Sequence, residues 1–125
     1  MPNVVVAGGL IQCSHKGSVK LAGGDPRLEI AGAQALTAGM ETGISFATGA
    51  PGVVAPCPLP APGGPPGSSP CNATIAATTG VSGQMTIGGR GVLLDSASGR
   101  ATNPNDANAT WSIARAGQTI LSVDR

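Results

Sequence analysis

One possible set of four metal ligands stands out in this sequence: Cys13, His15, Cys57 and Cys71, which are all of its cysteines and its only histidine. Cys13 and His15 are two residues apart, so in an extended strand their side chains project from the same face. Cys57 and Cys71 come from a distant segment. Zinc binds three thiolates and one imidazole in a closed tetrahedron, which leaves no coordination position for water. The set therefore predicts a structural zinc site that cross-links two remote segments.

Other interpretations of the same cysteines remain open at this point. The spacing matches none of the usual zinc-finger patterns, and Cys57 can pair with Cys71 in a disulfide while Cys13 stays a buried thiol. Three unrelated thiols are a further interpretation. The apolar stretch that ends at Cys13 lacks the positively charged start of an export signal. We therefore expect synthesis in a reducing compartment, where metal ligation is more usual than a disulfide.

The sequence gives little support for a catalytic site. The carboxylates stand singly among predicted turns and strand ends, and we expect most of them to be solvated: Asp25, Glu29, Glu41, Asp95, Asp106 and Asp124. A cysteine nucleophile needs a base, and a neighbour two residues away rarely serves as one. A small zinc-dependent hydrolase would need an open coordination position and a base such as Glu41. We expect that the protein is not an enzyme. The alternatives are a hydrolase of this kind and a secreted adhesion or coat module closed by a disulfide.

The composition makes a metal or cross-link energetically reasonable. The chain has 20 glycines and 11 prolines but only two aromatic residues, Phe46 and Trp111, so large side chains for a core are scarce. We expect Trp111 to fill the core rather than anchor an interface. The net charge of +1 and the lack of a basic stripe argue against nucleic-acid binding. No apolar run approaches the ~20 residues that a membrane helix needs.

Short strands separated by glycine and proline turns predict an all-β protein with one domain over residues 1–125. One or two helical turns are expected within 31–40. Residues 47–70 form a Pro/Gly-rich internal segment, which we expect to be extended or looped and tied down by the cysteines at 57 and 71. The predicted strands cover residues 4–7, 10–13, 18–21, 28–30, 74–77, 84–87, 91–94, 110–114 and 119–123.

Several short motifs resemble those of a known family. They are Val-Val-Val-Ala-Gly-Gly at 4–9, Cys-Ser-His at 13–15, Pro-Cys-Pro at 56–58, the further Cys71, and glycine-rich hairpins that continue to the end of the chain. In this order they resemble PAAR-like spike-tip proteins of contractile injection systems, such as type VI secretion systems and phage-tail-like particles. The Pro-Ala-Ala-Arg tetrapeptide that names the family is absent, and the relatives in phage-tail-like particles are the nearer match.

The resemblance implies a specific architecture and role. It implies a small cone of short β-hairpins with approximate threefold symmetry, whose vertex is pinned by zinc on Cys13, His15, Cys57 and Cys71. One copy would bind the trimeric spike protein through the wide base of the cone and would cap and sharpen the spike. It would help to pierce the target envelope, with transient membrane contact, and carry effector cargo. The protein would be made in the bacterial cytoplasm, assembled at the tip of the particle, and found outside the cell or in the target cell after firing.

Overall fold

Nine β-strands form the regular structure of the computed structural model, which describes residues 2–60, 62–103 and 105–123. The described residues contain no helix, and the all-β prediction is confirmed. It follows that none of them forms a helix able to cross a membrane. The strands are β1 (Leu10–Cys13), β2 (Ser18–Lys20), β3 (Asp25–Ile30), β4 (Ala33–Ala35), β5 (Val53–Ala55), β6 (Ala73–Thr74), β7 (Thr79–Ile87), β8 (Arg90–Thr102) and β9 (Thr110–Arg115).

Seven of these strands pair in one antiparallel sheet that curls into a half-barrel. Its order is β5-β2-β1-β9-β8-β6, and β7 also pairs with β8. Strands β3 and β4 form a separate hairpin. In the centre of the sheet β1 lies beside β9, with Ile11 opposite Ile113 and Cys13 opposite Trp111. The sheet therefore places the first cysteine of the chain next to its only tryptophan.

The main core cluster lies beneath the central strands and includes all three cysteines. Trp111 is 1% exposed, and its Nε1 donates a hydrogen bond to the Ile75 carbonyl oxygen at 2.8 Å. Its indole ring lies so close to Gly99 that a Cβ there would be 2.7 Å from Nε1. The prediction that Trp111 fills the core is thus confirmed. A second cluster includes Val4, Val6, Ile30, Val92, Leu94 and Val123.

Several predicted elements differ from the structure. Residues 31–40 form strand β4 and turns instead of a helix, because Ala31 and Gly32 both adopt positive φ (54° and 83°) and turn the chain back from β3. Residues 4–7 and 119–123 make only isolated bridges, among them Val4 with Leu94 and Asn3 with Ser122. The strand predicted at 91–94 extends further than expected, since β8 is continuous for 13 residues. Residues 47–70 include strand β5, which pairs with β2.

Candidate metal centre

The structure brings all four predicted ligand residues together. One ligand atom from each of Cys13, His15, Cys57 and Cys71 lies within 4.8 Å of the others. The cysteine side chains are buried, and the His15 side chain is 17% exposed. Among the described residues, no other group of three or more cysteine, histidine or acidic side chains is this compact. These four residues, called the metal centre below, can hold one metal ion.

A tight turn between β1 and β2 presents Cys13 and His15. The Cys13 amide donates to the Gly17 carbonyl oxygen at 2.9 Å, and the Lys16 amide donates to the Cys13 carbonyl oxygen at 3.0 Å. Lys16 has a φ of 73°, which closes the turn. Cys13 and His15 therefore meet because the chain turns after Cys13, and the extended backbone that would place both side chains on one face does not continue to His15.

Gly17 brings this turn against the segment that carries Cys57. A Cβ at position 17 would lie 2.9 Å from both the Cα and the amide nitrogen of Cys57, and 3.1 Å from the Cys13 sulfur. The Gly17 amide also donates a hydrogen bond to Cys13 Sγ at 3.2 Å. Only a residue without a side chain allows the two backbones to approach this closely.

The backbone of Phe46 positions the other two cysteines. Its amide donates to the Cys71 carbonyl oxygen at 3.0 Å, and its carbonyl oxygen accepts the Cys57 amide at 2.8 Å. The Phe46 side chain is fully buried, so the main-chain atoms are held by core packing. Sequence reasoning assigned Phe46 no role at the site, although it is the only phenylalanine of the chain.

The connection between β8 and β9 reaches the metal centre as well. Asp106 Oδ2 lies 2.6 Å from His15 Nε2, and the Asn103 amide nitrogen Nδ2 lies 3.6 Å from Cys71 Sγ. The backbone amide of Asn108, and then His15, lower the pKa of Asp106 by hydrogen bonding. The residues Asn, Pro, Asn and Asp at 103–106 favour a turn, and Pro104 lies outside the described residues.

Burial favours the protonated form of the Cys13 and Cys71 thiols. It raises the pKa of Cys13 and raises the pKa of Cys71 to about 12, because a thiolate is poorly solvated in this environment. Without a metal these two thiols are protonated at neutral pH. A metal ion binds thiolates, so its binding must release these protons.

Most of the six carboxylates were expected to be solvated, but two of them are buried. Glu41 is 1% exposed, and its carboxylate accepts the backbone amides of Gly39 at 2.5 Å and Ala77 at 2.8 Å. Asp25 is 6% exposed and accepts hydrogen bonds from Arg27. Both fix local backbone, and neither belongs to the metal centre. The solvation predicted for Asp124 lies outside the described residues.

Comparisons with known proteins assign no family. No protein-family model matches the chain, and no curated protein or solved structure matches it either. The function is therefore argued from the metal centre and from the motifs themselves.

Proposed function

We propose that this chain is a zinc-binding structural protein that caps the spike of a contractile injection system. The observation that carries the proposal is the convergence of Cys13, His15, Cys57 and Cys71.

The donor set suits zinc. Thiolates bind zinc at ~2.3 Å and imidazole at ~2.0–2.1 Å, so a sulfur and a nitrogen on one tetrahedral zinc ion are about 3.6 Å apart. Cys71 Sγ and His15 Nδ1 are 3.5 Å apart. No two of the four ligand atoms are further apart than 4.8 Å, so small side-chain movements complete the tetrahedron. Three sulfurs also favour a soft or borderline metal over magnesium or calcium.

Four protein ligands make a structural role the best-supported one. A shell filled by three thiolates and one imidazole leaves no position for a substrate or an activated water molecule. The base named for the hydrolase alternative, Glu41, lies outside the centre, and both of its carboxylate oxygens already accept backbone amides. Bound zinc would supply cross-linking energy in place of the large apolar side chains that the chain lacks.

The metal centre connects segments that a rigid tip would have to hold together. A metal there ties the β1–β2 turn to Cys57, which follows β5, and to Cys71, which precedes β6. It thus fixes the Pro/Gly-rich segment, whose regular structure, among the residues of that segment that the structure describes, is limited to β5. Together with the motif resemblance, this supports a small zinc-pinned cone with approximate threefold symmetry. The cone sits as one copy on the trimeric spike, helps to pierce an envelope and carries effector cargo.

The zinc part of the proposal is tested by elemental analysis of the purified protein and of Cys57→Ser. We expect about one zinc per chain in the parent, and loss of metal and of cooperative folding in the variant, because one of four ligands is removed from a buried site. Val54→Ser is the matched control. It also introduces a serine, three residues before Cys57, but at a side chain of β5 that is 63% exposed. Full zinc occupancy and unchanged thermal stability in Cys57→Ser would exclude that ligand. A Cys57–Cys71 bridge found by non-reducing mass spectrometry would favour the disulfide module.

The spike part is tested separately. Zinc-loaded protein is mixed with purified trimeric spike proteins of contractile injection systems from the same organism and examined by native mass spectrometry. We expect one chain per trimer. Absence of any complex would reject the spike-tip role and leave the metal centre standing.

A further inference from the structure

The two ring nitrogens of His15 have different surroundings. Nδ1 faces the thiols and lies 3.5 Å from Cys71 Sγ. Nε2 points away from them and lies 2.6 Å from Asp106 Oδ2. Only one of the two nitrogens can bind a metal that the cysteines also bind, so the orientation of this ring decides how the centre is built.

We infer that Asp106 is a positioning residue of the metal centre, which holds a proton on His15 Nε2 and thereby makes Nδ1 the metal-binding nitrogen. The inference rests on the proposed zinc site and names a residue outside the ligand set. An ionised carboxylate can only accept a hydrogen bond, so the short contact requires the proton to lie on Nε2. Metal-binding histidines commonly donate their second N–H to a carboxylate, which fixes the tautomer and the ring orientation.

Asp106 is itself held in the orientation that this role needs. Its Oδ1 accepts the Asn108 amide at 2.9 Å, which leaves Oδ2 for His15. Its backbone amide donates to the Asn103 carbonyl oxygen, and its carbonyl oxygen accepts the Ala109 amide, both at 3.3 Å. The carboxylate therefore belongs to a turn with its own hydrogen bonds and is not a freely rotating surface side chain.

Asn103 gives the same turn a second contact with the centre. Its Nδ2 donates to the Ser69 carbonyl oxygen at 2.9 Å and lies 3.6 Å from Cys71 Sγ. Three thiolates around a divalent ion leave one net negative charge, and N–H donors to sulfur, here Asn103 and Gly17, reduce the cost of burying it. The β8–β9 connection thus supports both the imidazole and one thiolate of the centre.

The nitrogen assignment can be read directly, because the chain has one histidine and its ring signals need no further assignment. The parent protein is labelled with ¹⁵N at histidine, loaded with ¹¹³Cd as a zinc substitute, and examined by long-range ¹H–¹⁵N NMR. We expect a one-bond ¹¹³Cd–¹⁵N coupling at Nδ1 and a proton on Nε2. Coupling at Nε2 would overturn the inference alone. Coupling at neither nitrogen in metal-loaded protein would overturn the inference and also remove His15 from the ligand set. Failure to bind any metal would overturn the zinc site and the inference with it.

The contribution of Asp106 is measured by zinc affinity in competition with a chromophoric chelator. Removing an outer hydrogen-bond partner of a metal ligand typically weakens binding ~10–100-fold, which we expect for Asp106→Ala. Asp106→Asn keeps an acceptor oxygen but loses the charge, so a smaller loss is expected, and this variant serves if the alanine variant does not fold. Asp95→Ala is the control, because Asp95 lies in β8 outside the centre. Parent-like zinc affinity in a folded Asp106 variant would refute the positioning role.

Discussion

Replacing Gly17 by alanine tests whether the close approach of two backbones builds the metal centre. The new Cβ would be 2.9 Å from the Cα and the amide nitrogen of Cys57, about half an ångström short of the 3.4 Å at which ordinary contact begins. The Cys57 backbone cannot simply move away, since its amide is hydrogen-bonded to the Phe46 carbonyl oxygen at 2.8 Å. Overpacking of this kind costs ~1–3 kcal/mol of the free energy of unfolding. For a domain of this size that corresponds to a melting temperature lowered by roughly 4–12 °C.

The assay is thermal unfolding of zinc-loaded protein, followed by circular dichroism and paired with a zinc-affinity measurement. Gly83→Ala is the matched control, because a Cβ there meets nothing within 4 Å and Gly83 does not have a positive φ. We expect Gly83→Ala to leave the melting temperature unchanged or slightly higher. Gly17→Ala should lower both the melting temperature and the zinc affinity, since it pushes Cys57 away from Cys13. Equal melting temperatures and equal zinc affinities in the two variants would refute this account of the turn.

Two further predictions concern the buried carboxylates. Glu41→Gln places an amide N–H₂ group opposite a backbone donor, so calorimetry should show a loss of ~1–3 kcal/mol in the free energy of unfolding. The zinc content should stay at the parent level. A lower zinc content would contradict this by linking Glu41 to the centre. Arg27 side-chain and backbone hydrogen bonds lower the pKa of Asp25 from 3.8 to about 2, so Asp25 stabilises the fold above pH 4 and this contribution is lost as the pH falls towards 2. The melting-temperature difference between the parent and Asp25→Asn should shrink over that interval, and a difference that is constant from pH 6 to pH 2 would contradict it.

The sequence alone predicted the fold class and the four residues that the structure brings together as a candidate metal centre. Short apolar segments between frequent Gly and Pro turns predicted short strands. The strands predicted at 10–13, 18–21 and 110–114 coincide closely with β1, β2 and β9. The ligand set could be proposed because the chain has only three cysteines and one histidine, and few combinations exist. Residue type and local spacing carry this information directly.

Local propensity failed where a contact with a distant segment decided the conformation. Ala33 to Ala35 have good helix propensity, yet β4 pairs with β3 after the positive-φ turn at Ala31 and Gly32. Residues 96–99 contain serine and glycine, yet they continue β8 because β9 pairs alongside them from Ser98 onwards. In both places the energy of strand pairing outweighs a weak local preference.

Only the tertiary structure decided how the metal centre is assembled. Phe46 holds Cys57 and Cys71 through backbone hydrogen bonds, Gly17 admits Cys57, and Asp106 reaches His15 from 91 residues away in the chain. None of these three residues has a spacing or a motif that points to the site. The roles of these three residues depend on main-chain geometry and on contacts between remote segments. The choice of candidate ligands depends only on side-chain chemistry. For this reason the sequence could name the candidate ligands but not the residues that hold them in place.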